Sequence, residues 1–409
     1  MFVFHFFDFT LDFLNNFIVV FHALKWYSIY QYPRSMRRNE VNMRHIHIGF
    51  IGLGLIGGSI AKALRAEKDN LYITAYDINK NSLTAAFNEG VVDSIADVID
   101  DKFGSCDFIF LCAPVQKNDS NLEAVKAVIS PDCILTDVGS VKTDIHKHIA
   151  AAGLNRQFIG GHPMAGSERF GYANSNASLL ENAYYILTPT EETLPEKLED
   201  YRDLVQSMGA IPLTLNYRQH DYVTAAISHL PHVIASSLVN LVRDADSEDG
   251  IMKMIAAGGF KDITRIASSS AGMWQQICLT NTENISSLLD AYIHALQAVK
   301  QEIDSRNETS LYDFFDHARA YRDSFVNTSS GPIKRCYEFT VDIADQTGAL
   351  ASIATILAVN GVSIKNIGIT HNREQQAGAL RLEFDNEKAM EKAKSLLTAR
   401  SYTIYEKKL

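Results

Sequence analysis

At 409 residues, of which 46% are hydrophobic and 21% charged, the chain is long enough for two or three domains and a sizeable core. A formal net charge of −10 argues against nucleic acid or an anionic membrane as partner. Five cysteines without a CxxC pair or an even framework read as reduced cytosolic thiols, and no metal site is expected.

Residues 1–42 are rich in Phe, Tyr and Ile. Their best apolar run, Phe17–Phe21, is soon broken by His22 and Lys25, too short for a membrane span. Neither a basic start nor a small-residue cleavage site marks a secretory signal. The segment reads as an extension, disordered or preceding a more natural start at Met36 or Met43, on a cytoplasmic protein with no membrane partner.

From His45 to about Leu215, short apolar strands alternate with helical stretches, the pattern of a doubly wound parallel sheet. The first strand runs into a turn with glycines at 52, 54 and 57, followed by a helix from Ser59. Gly52 permits the tight turn, Gly54 lets backbone approach a pyrophosphate, and Gly57 lets the helix pack close to the strand, its N-terminus facing the phosphates. Leu55 and Ile56 lie within the same turn. A second strand, Leu71–Tyr76, ends on Asp77, 20 residues beyond Gly57. A carboxylate there holds a ribose 2′-hydroxyl and repels a 2′-phosphate, which favours NAD over NADP. Further strands are expected at Phe108–Pro114, Cys133–Val138 and Tyr184–Pro189, placing Ala113, Pro114 and the turn Gly139–Lys142 beside the cofactor.

After Asn216 the pattern turns helical, with long helices expected over Gln219–Asp244, Lys253–Ser268 and Asn284–Arg306. Their apolar content exceeds what one thin layer buries, so this region is expected to form a dimer interface. Asn327–Pro332 has linker composition. Beyond it, strand and helix signals follow in β-α-β-β-α-β order, a ferredoxin-like module of about 75 residues. The expected domains are residues 43–215, 216–328 and 334–409.

Three segments can carry chemistry. His162, bracketed by Gly160-Gly161 and Pro163, would emerge at the carboxyl edge of the sheet, where a neutral imidazole can take the proton of a substrate hydroxyl as hydride leaves the same carbon; a loop-capping histidine is the alternative. Ser228 and His232 share a helix face around Pro231, which suits two donors converging on one anion, or a structural role. Arg265, after Gly258-Gly259, can clamp a carboxylate with Glu168 or Asp262 as resting partner, or form a surface ion pair.

Together the segments Gly52–Ser59, Asp137–Lys142, Gly161–Gly166, Ser228–His232 and Lys261–Arg265 resemble the prephenate dehydrogenase family in motif order, over Ile46 to about Arg322. The resemblance implies a Rossmann-type domain, an all-α dimerisation domain and NAD-dependent oxidative decarboxylation of prephenate to 4-hydroxyphenylpyruvate in tyrosine biosynthesis. It implies that His162 accepts the hydroxyl proton and that Ser140 hydrogen-bonds both the hydroxyl and His162. Arg265 would grip a substrate carboxylate, with Glu168 and Asp262 gating it. Ser167, Ser228 and His232 would border the substrate, and Trp274 would reach it from the dimer partner. The C-terminal module resembles an ACT domain, implying feedback by tyrosine around Asp345, Gly348, Asn360 and Val362. Rival readings are an arogenate dehydrogenase, against which His232 favours the ketoacid side chain, a β-hydroxy-acid dehydrogenase, and a non-enzymatic nucleotide-binding regulator.

Overall fold

Strand β1, Ile46–Ile51, opens a five-stranded parallel sheet in the order β3-β2-β1-β4-β5, with β2 Leu71–Tyr76, β3 Ser94–Ala96, β4 Phe108–Leu111 and β5 Ile134–Asp137. The protein is described by a computed structural model, which covers residues 45–68, 70–113, 115–166, 169–327, 337–343, 347–370, 378–384 and 386–405. The expectations for residues 1–42, Pro114, Ser167, Glu168, most of the linker, Cys336 and Asp345 fall outside these residues. The strands read as unbroken apolar runs because helices cover both faces: every residue of β4 and β5 is buried, including Thr136 and Asp137. Ile51, Leu111 and Asp137 stand level across β1, β4 and β5.

The first helix spans Leu55–Glu67 and begins four residues earlier than the sequence suggested. Its N-cap is Gly54, which offers no side-chain cap, so the first-turn amides keep no capping partner from it.

The expected strand at Tyr184–Pro189 exists but is not in the parallel sheet. It is β7 of a separate three-stranded sheet with β6, Ile159–Pro163, and β8, Ile211–Thr214. Between β6 and β7 the described chain makes only short 3-10 turns at Tyr172–Asn174 and Ala177–Leu180. Without a crossover helix the chain returns antiparallel, pairing Ile159 with Pro189 and Pro163 with Tyr185. A parallel bridge from Leu135 to Phe158 ties the start of β6 to β5.

The helical region starts with Tyr217–Thr224 and Leu230–Ala245, joined through a π-helical turn at Ala225–His229. Pro231 has no N–H and its ring crowds the carbonyl four residues back; the wider turn ahead of it lets the helix continue. By length and composition Tyr217–Ala245 is apolar enough to cross a membrane, yet it carries the fully buried polar residues His220, Asp221, Thr224 and His229. The single helix expected over Lys253–Ser268 is instead three pieces, Ile251–Ile255, Gly258–Thr264 and a 3-10 turn at Arg265–Ser268. Ala257 is extended and two glycines follow, which interrupts the first junction. Ala271–Thr280, Thr282–Asp304 and Glu308–Asn327 complete the region. Ile227, Leu241, Met254, Ile303, Phe315 and Tyr321 are all exposed, an unusual amount of large apolar surface.

Strand β9, Tyr337–Ile343, starts the C-terminal module, followed by helix Ala349–Val359, β10 Asn366–Thr370, β11 Gly378–Phe384, helix Glu387–Thr398 and β12 Ile404–Tyr405. Its antiparallel sheet has the order β10-β11-β9-β12, and Phe339, Val341, Ile353, Leu357, Leu382 and Leu397 form its core. Val362, named above for the effector site, precedes β10 and is buried in that core.

Candidate active site

The glycine turn after β1 lines a cleft of about 430 Å³ with Tyr76, Asp77, Ile78, Asn79 and Ala113. Gly52 has φ +98°, and a Cβ there would stand 2.7 Å from the backbone nitrogen of Ala113, so only glycine fits. The Asp77 carboxylate accepts hydrogen bonds from Leu53 N at 2.5 Å and Asn79 N at 2.7 Å. It thereby clamps the turn to the end of β2, while the remaining carboxylate lone pairs can accept from a ligand hydroxyl. Beside it, Ile78 is 82% exposed and lies within the cleft lining. An uncapped helix N-terminus, open space where a Gly54 side chain would be, an acidic strand end and an apolar neighbour together suit a dinucleotide.

His162 lies on β6, which a parallel bridge sets alongside β5, the outer strand of the same parallel sheet. The register Leu135 to Phe158 carries β6 two residues beyond the end of β5 before His162 is reached. Gly161 precedes it because a Cβ there would meet Asp137 O and the Tyr201 hydroxyl, each at 2.6 Å. The Asp137 carboxylate accepts from Gly139 N at 2.9 Å, from Gly161 N at 3.3 Å, and from Lys142 Nζ, whose side chain is fully buried. One carboxylate therefore holds the turn bearing Ser140 against the strand bearing His162. Ser140 itself is partly exposed in that turn.

His162 Nδ1 is 2.7 Å from His220 Nε2, and His220 Nδ1 is 2.8 Å from Asp221 Oδ1. The Asp221 carboxylate also accepts from Lys142 N and Thr143 N, each at 2.7 Å, at the start of helix Thr143–Ala152. Burial pushes the His162 pKa well below the ordinary histidine value, and His220, Lys142 and His229 add to the shift. His162 is therefore neutral at physiological pH, the state a proton acceptor requires.

On the π turn, buried His229 faces Asn281, whose Nδ2 stands 3.2 Å from His229 Nδ1 and donates to Asp221 O at 2.8 Å. Burial lowers the pKa of His229 to about 4. His232 donates Nδ1–H to Ser228 O at 2.9 Å, and its ring stacks on Trp274 with centroids 3.6 Å apart. Trp274 thus meets the Ser228–His232 segment of its own chain. Arg265 lies near enough to His232 to help lower its pKa, after burial, and like Asp262 it is exposed.

The sequence model of the prephenate dehydrogenase nucleotide-binding domain matches residues 60–212, and that of the prephenate dehydrogenase dimerization domain matches residues 217–317. The prephenate dehydrogenase of Bacillus subtilis is 36% identical over 352 residues, covering 86% of this chain and 95% of that protein. The chain belongs to the prephenate dehydrogenase family. Two solved structures agree. The prephenate dehydrogenase of Aquifex aeolicus, in complex with hydroxyphenyl propionate and NAD+, is 31% identical with a TM-score of 0.65, covering 70% of this chain and all of that one. Synechocystis arogenate dehydrogenase is 30% identical with a TM-score of 0.63, covering 69% of this chain and all of that one. The 352-residue match to the Bacillus prephenate dehydrogenase cannot fit ahead of Asn327, so it extends at least as far as residue 352, into the C-terminal module.

Against these prephenate dehydrogenase features, the sequence reading missed His220, Asp221 and Asn281, and left His229 and Lys142 without a role. No local signal marks His220, Asp221, His229 or Asn281: they lie 58 or more residues from His162 and come near it only through tertiary packing, as in the His162–His220 pair. Their remaining hint was polarity at positions of an apolar helix that pattern alone assigns to the core.

Proposed function

We propose that the chain catalyses the NAD-dependent oxidative decarboxylation of prephenate, with residues 43–215 binding the dinucleotide and residues 216–328 completing the substrate site and pairing two copies in the cytoplasm. The observation that carries this reading is a neutral His162 on β6, which a parallel bridge sets alongside β5, the outer strand of the sheet whose β1 opens the glycine-turn cleft. Gly52, Gly54, Leu55, Ile56, Gly57 and Ala113 would border the cofactor, Asp77 its ribose and Ile78 its purine. The nicotinamide, when bound, supplies the hydride acceptor. His162 takes the substrate's hydroxyl proton as the carbinol carbon is oxidised, and returns it to the phenol oxygen once carbon dioxide has left, so no net proton is released. With Nδ1 occupied by His220, Nε2 is the atom left for the hydroxyl and for Ser140. Arg265, with Ser228 and His232 beside it, would hold the side-chain carboxylate.

Incubation with prephenate and NAD, followed by NADH absorbance, tests the reading directly. His162→Asn should lower kcat by about 10²–10⁴ without changing NAD binding, and Arg265→Ala should raise the KM for prephenate by about 10–100-fold. No NADH formation would sink the proposal.

Arogenate is the second reading. A neutral His232 that donates through Nδ1 leaves Nε2 as an acceptor, a match for the ammonium by which arogenate differs from prephenate. This weakens the inference from sequence that His232 favours the ketoacid.

For residues 334–409, the β-α-β-β-α-β order supports an ACT-type regulatory module binding tyrosine near Gly348, Asn360 and Val362. Gly348, φ +87°, forms the turn into helix Ala349–Val359. Tyrosine inhibition of the full chain that disappears in a chain ending near Ser330 would support the module as its site; equal inhibition of both would assign tyrosine to the active site.

A further inference from the structure

The row His162–His220–Asp221 carries more than proximity, because hydrogen-bond polarity along it is forced. The Asp221 carboxylate is an acceptor at both oxygens, already receiving Lys142 N and Thr143 N. It can therefore engage His220 only as an acceptor, so His220 Nδ1 carries the proton and, in the neutral ring, His220 Nε2 is a lone pair. The contact from His162 Nδ1 at 2.7 Å must then be donated by His162. A neutral histidine has one ring proton; with it on Nδ1, Nε2 is bare.

We propose that Asp221 and His220 are positioning residues that fix the tautomer of His162, presenting an unprotonated Nε2 to the substrate hydroxyl. The inference rests on the assignment of His162 as proton acceptor and explains how this chain keeps it in the competent form. The His220 ring and the Asp221 carboxylate have no exposed surface, so the two groups behind the partly exposed His162 exchange no protons directly with bulk water. The anchor is rigid: Asp221 is tied to the first turn of helix Thr143–Ala152, and that turn is tied through Lys142 and Asp137 to Gly161, next to His162. The groups facing His162 divide by sign. Lys142, from the β5 turn, and His220 and His229, from the helical region, disfavour an imidazolium. The Asp221 carboxylate, reached through His220, is the group in this row that favours it when the hydroxyl proton arrives, as the buried carboxylate does behind the histidine of a serine-hydrolase triad.

The test needs two readouts, one independent of turnover. Ring ¹⁵N NMR of the full-length, histidine-labelled protein, with His162 signals assigned by their loss in His162→Asn, should show His162 protonated on Nδ1; protonation on Nε2 overturns the proposal whatever the enzyme's substrate proves to be. His220→Phe should lower kcat about 10–100-fold while the KM for prephenate and the affinity for NAD stay within about twofold, and His220→Gln, whose Oε1 can accept from His162 Nδ1, should restore much of the rate. Asp221→Asn reverses the donor to His220; it should move His162 toward the Nε2-protonated form and shift the acid limb of the kcat profile to lower pH. Rate losses matched by losses in KM and NAD affinity, with tautomer and pH limb unmoved, would assign the pair a structural role only. Failure of prephenate turnover in the unsubstituted protein would refute the proposed reaction, while the NMR result would still decide the tautomer.

Discussion

Lys142 and Asp137 form an ion pair in which the lysine side chain has no exposed surface and the carboxylate almost none. Burial lowers the Lys142 pKa, and Asp137 opposes that shift. The pair is the joint at which the end of β5, the Ser140 turn and β6 meet. Removing one partner strands the other's charge in the interior, so Lys142→Met should cost about 3–5 kcal/mol in denaturant unfolding. Lys80→Met, which breaks the exposed pair with Asp97, should leave the unfolding midpoint almost unchanged. Similar losses for the two would refute the role given to the buried pair.

Asp77 serves two masters, the backbone of the glycine turn and the proposed ribose. Asp77→Ala should weaken NAD at least about tenfold through lost charged hydrogen bonds, relax discrimination against NADP, and lower Tm because Leu53 N and Asn79 N lose their acceptor. Asp77→Asn removes the charge but keeps one oxygen, so it should relax cofactor preference with a smaller fall in Tm. Unaltered NAD:NADP preference in both variants would remove Asp77 from the cofactor site.

Stability should fall on mild acidification. His146 and His229 are buried neutral, their pKa values lowered from the ordinary 6.5 to about 4, in both cases chiefly by burial. Between those values the unfolded chain takes up protons that the folded chain refuses, so stability is lost as pH falls from 6.5 toward 4, by about 1.4 kcal/mol per pH unit for each histidine. Urea midpoints measured across that window give the slope. His146→Gln, which keeps a polar partner for Thr188 Oγ1, should make it shallower by one histidine's share; an unchanged slope would contradict the assignment.

How much of the fold and site is legible in the sequence depends on the range over which each signal acts. The glycine turn, Asp77 and the parallel strands are local patterns, legible because a strand–turn–helix has one period and one set of tight contacts. His162 was legible as the end of a glycine-bracketed strand, although the close approach Gly161 permits is to Asp137 and Tyr201 on other elements. Strand β7 was recognised as a strand but placed in the wrong sheet, because the direction of return depends on whether a crossover helix precedes it. Lys253–Ser268 kept a helical period through Ala257, where backbone freedom ended the helix. His220, Asp221 and Asn281 were silent because the partners that give them a role lie 58 to 79 residues away, a distance over which composition and spacing carry no information.

The pairing of His232 with Ser228 O predicts how substrate preference follows pH. Burial, with Arg265 adding to it, lowers the His232 pKa, while the Ser228 carbonyl opposes the shift, so the ring stays neutral through the ordinary histidine range and protonates below it. Neutral, it offers Nε2 as an acceptor to an ammonium; protonated, it donates to a keto oxygen or carboxylate and repels an ammonium. The ratio of kcat/KM for prephenate over arogenate should therefore rise as pH falls below that range. Trp274, stacked on the ring, fixes the orientation on which this depends. His232→Phe preserves a ring for the stack and removes the titration, so the ratio should become flat with pH. A ratio that still rises in the variant would place the discriminating group elsewhere, and a flat ratio in the unsubstituted protein would mean that Nε2 of His232 does not face the substrate side chain.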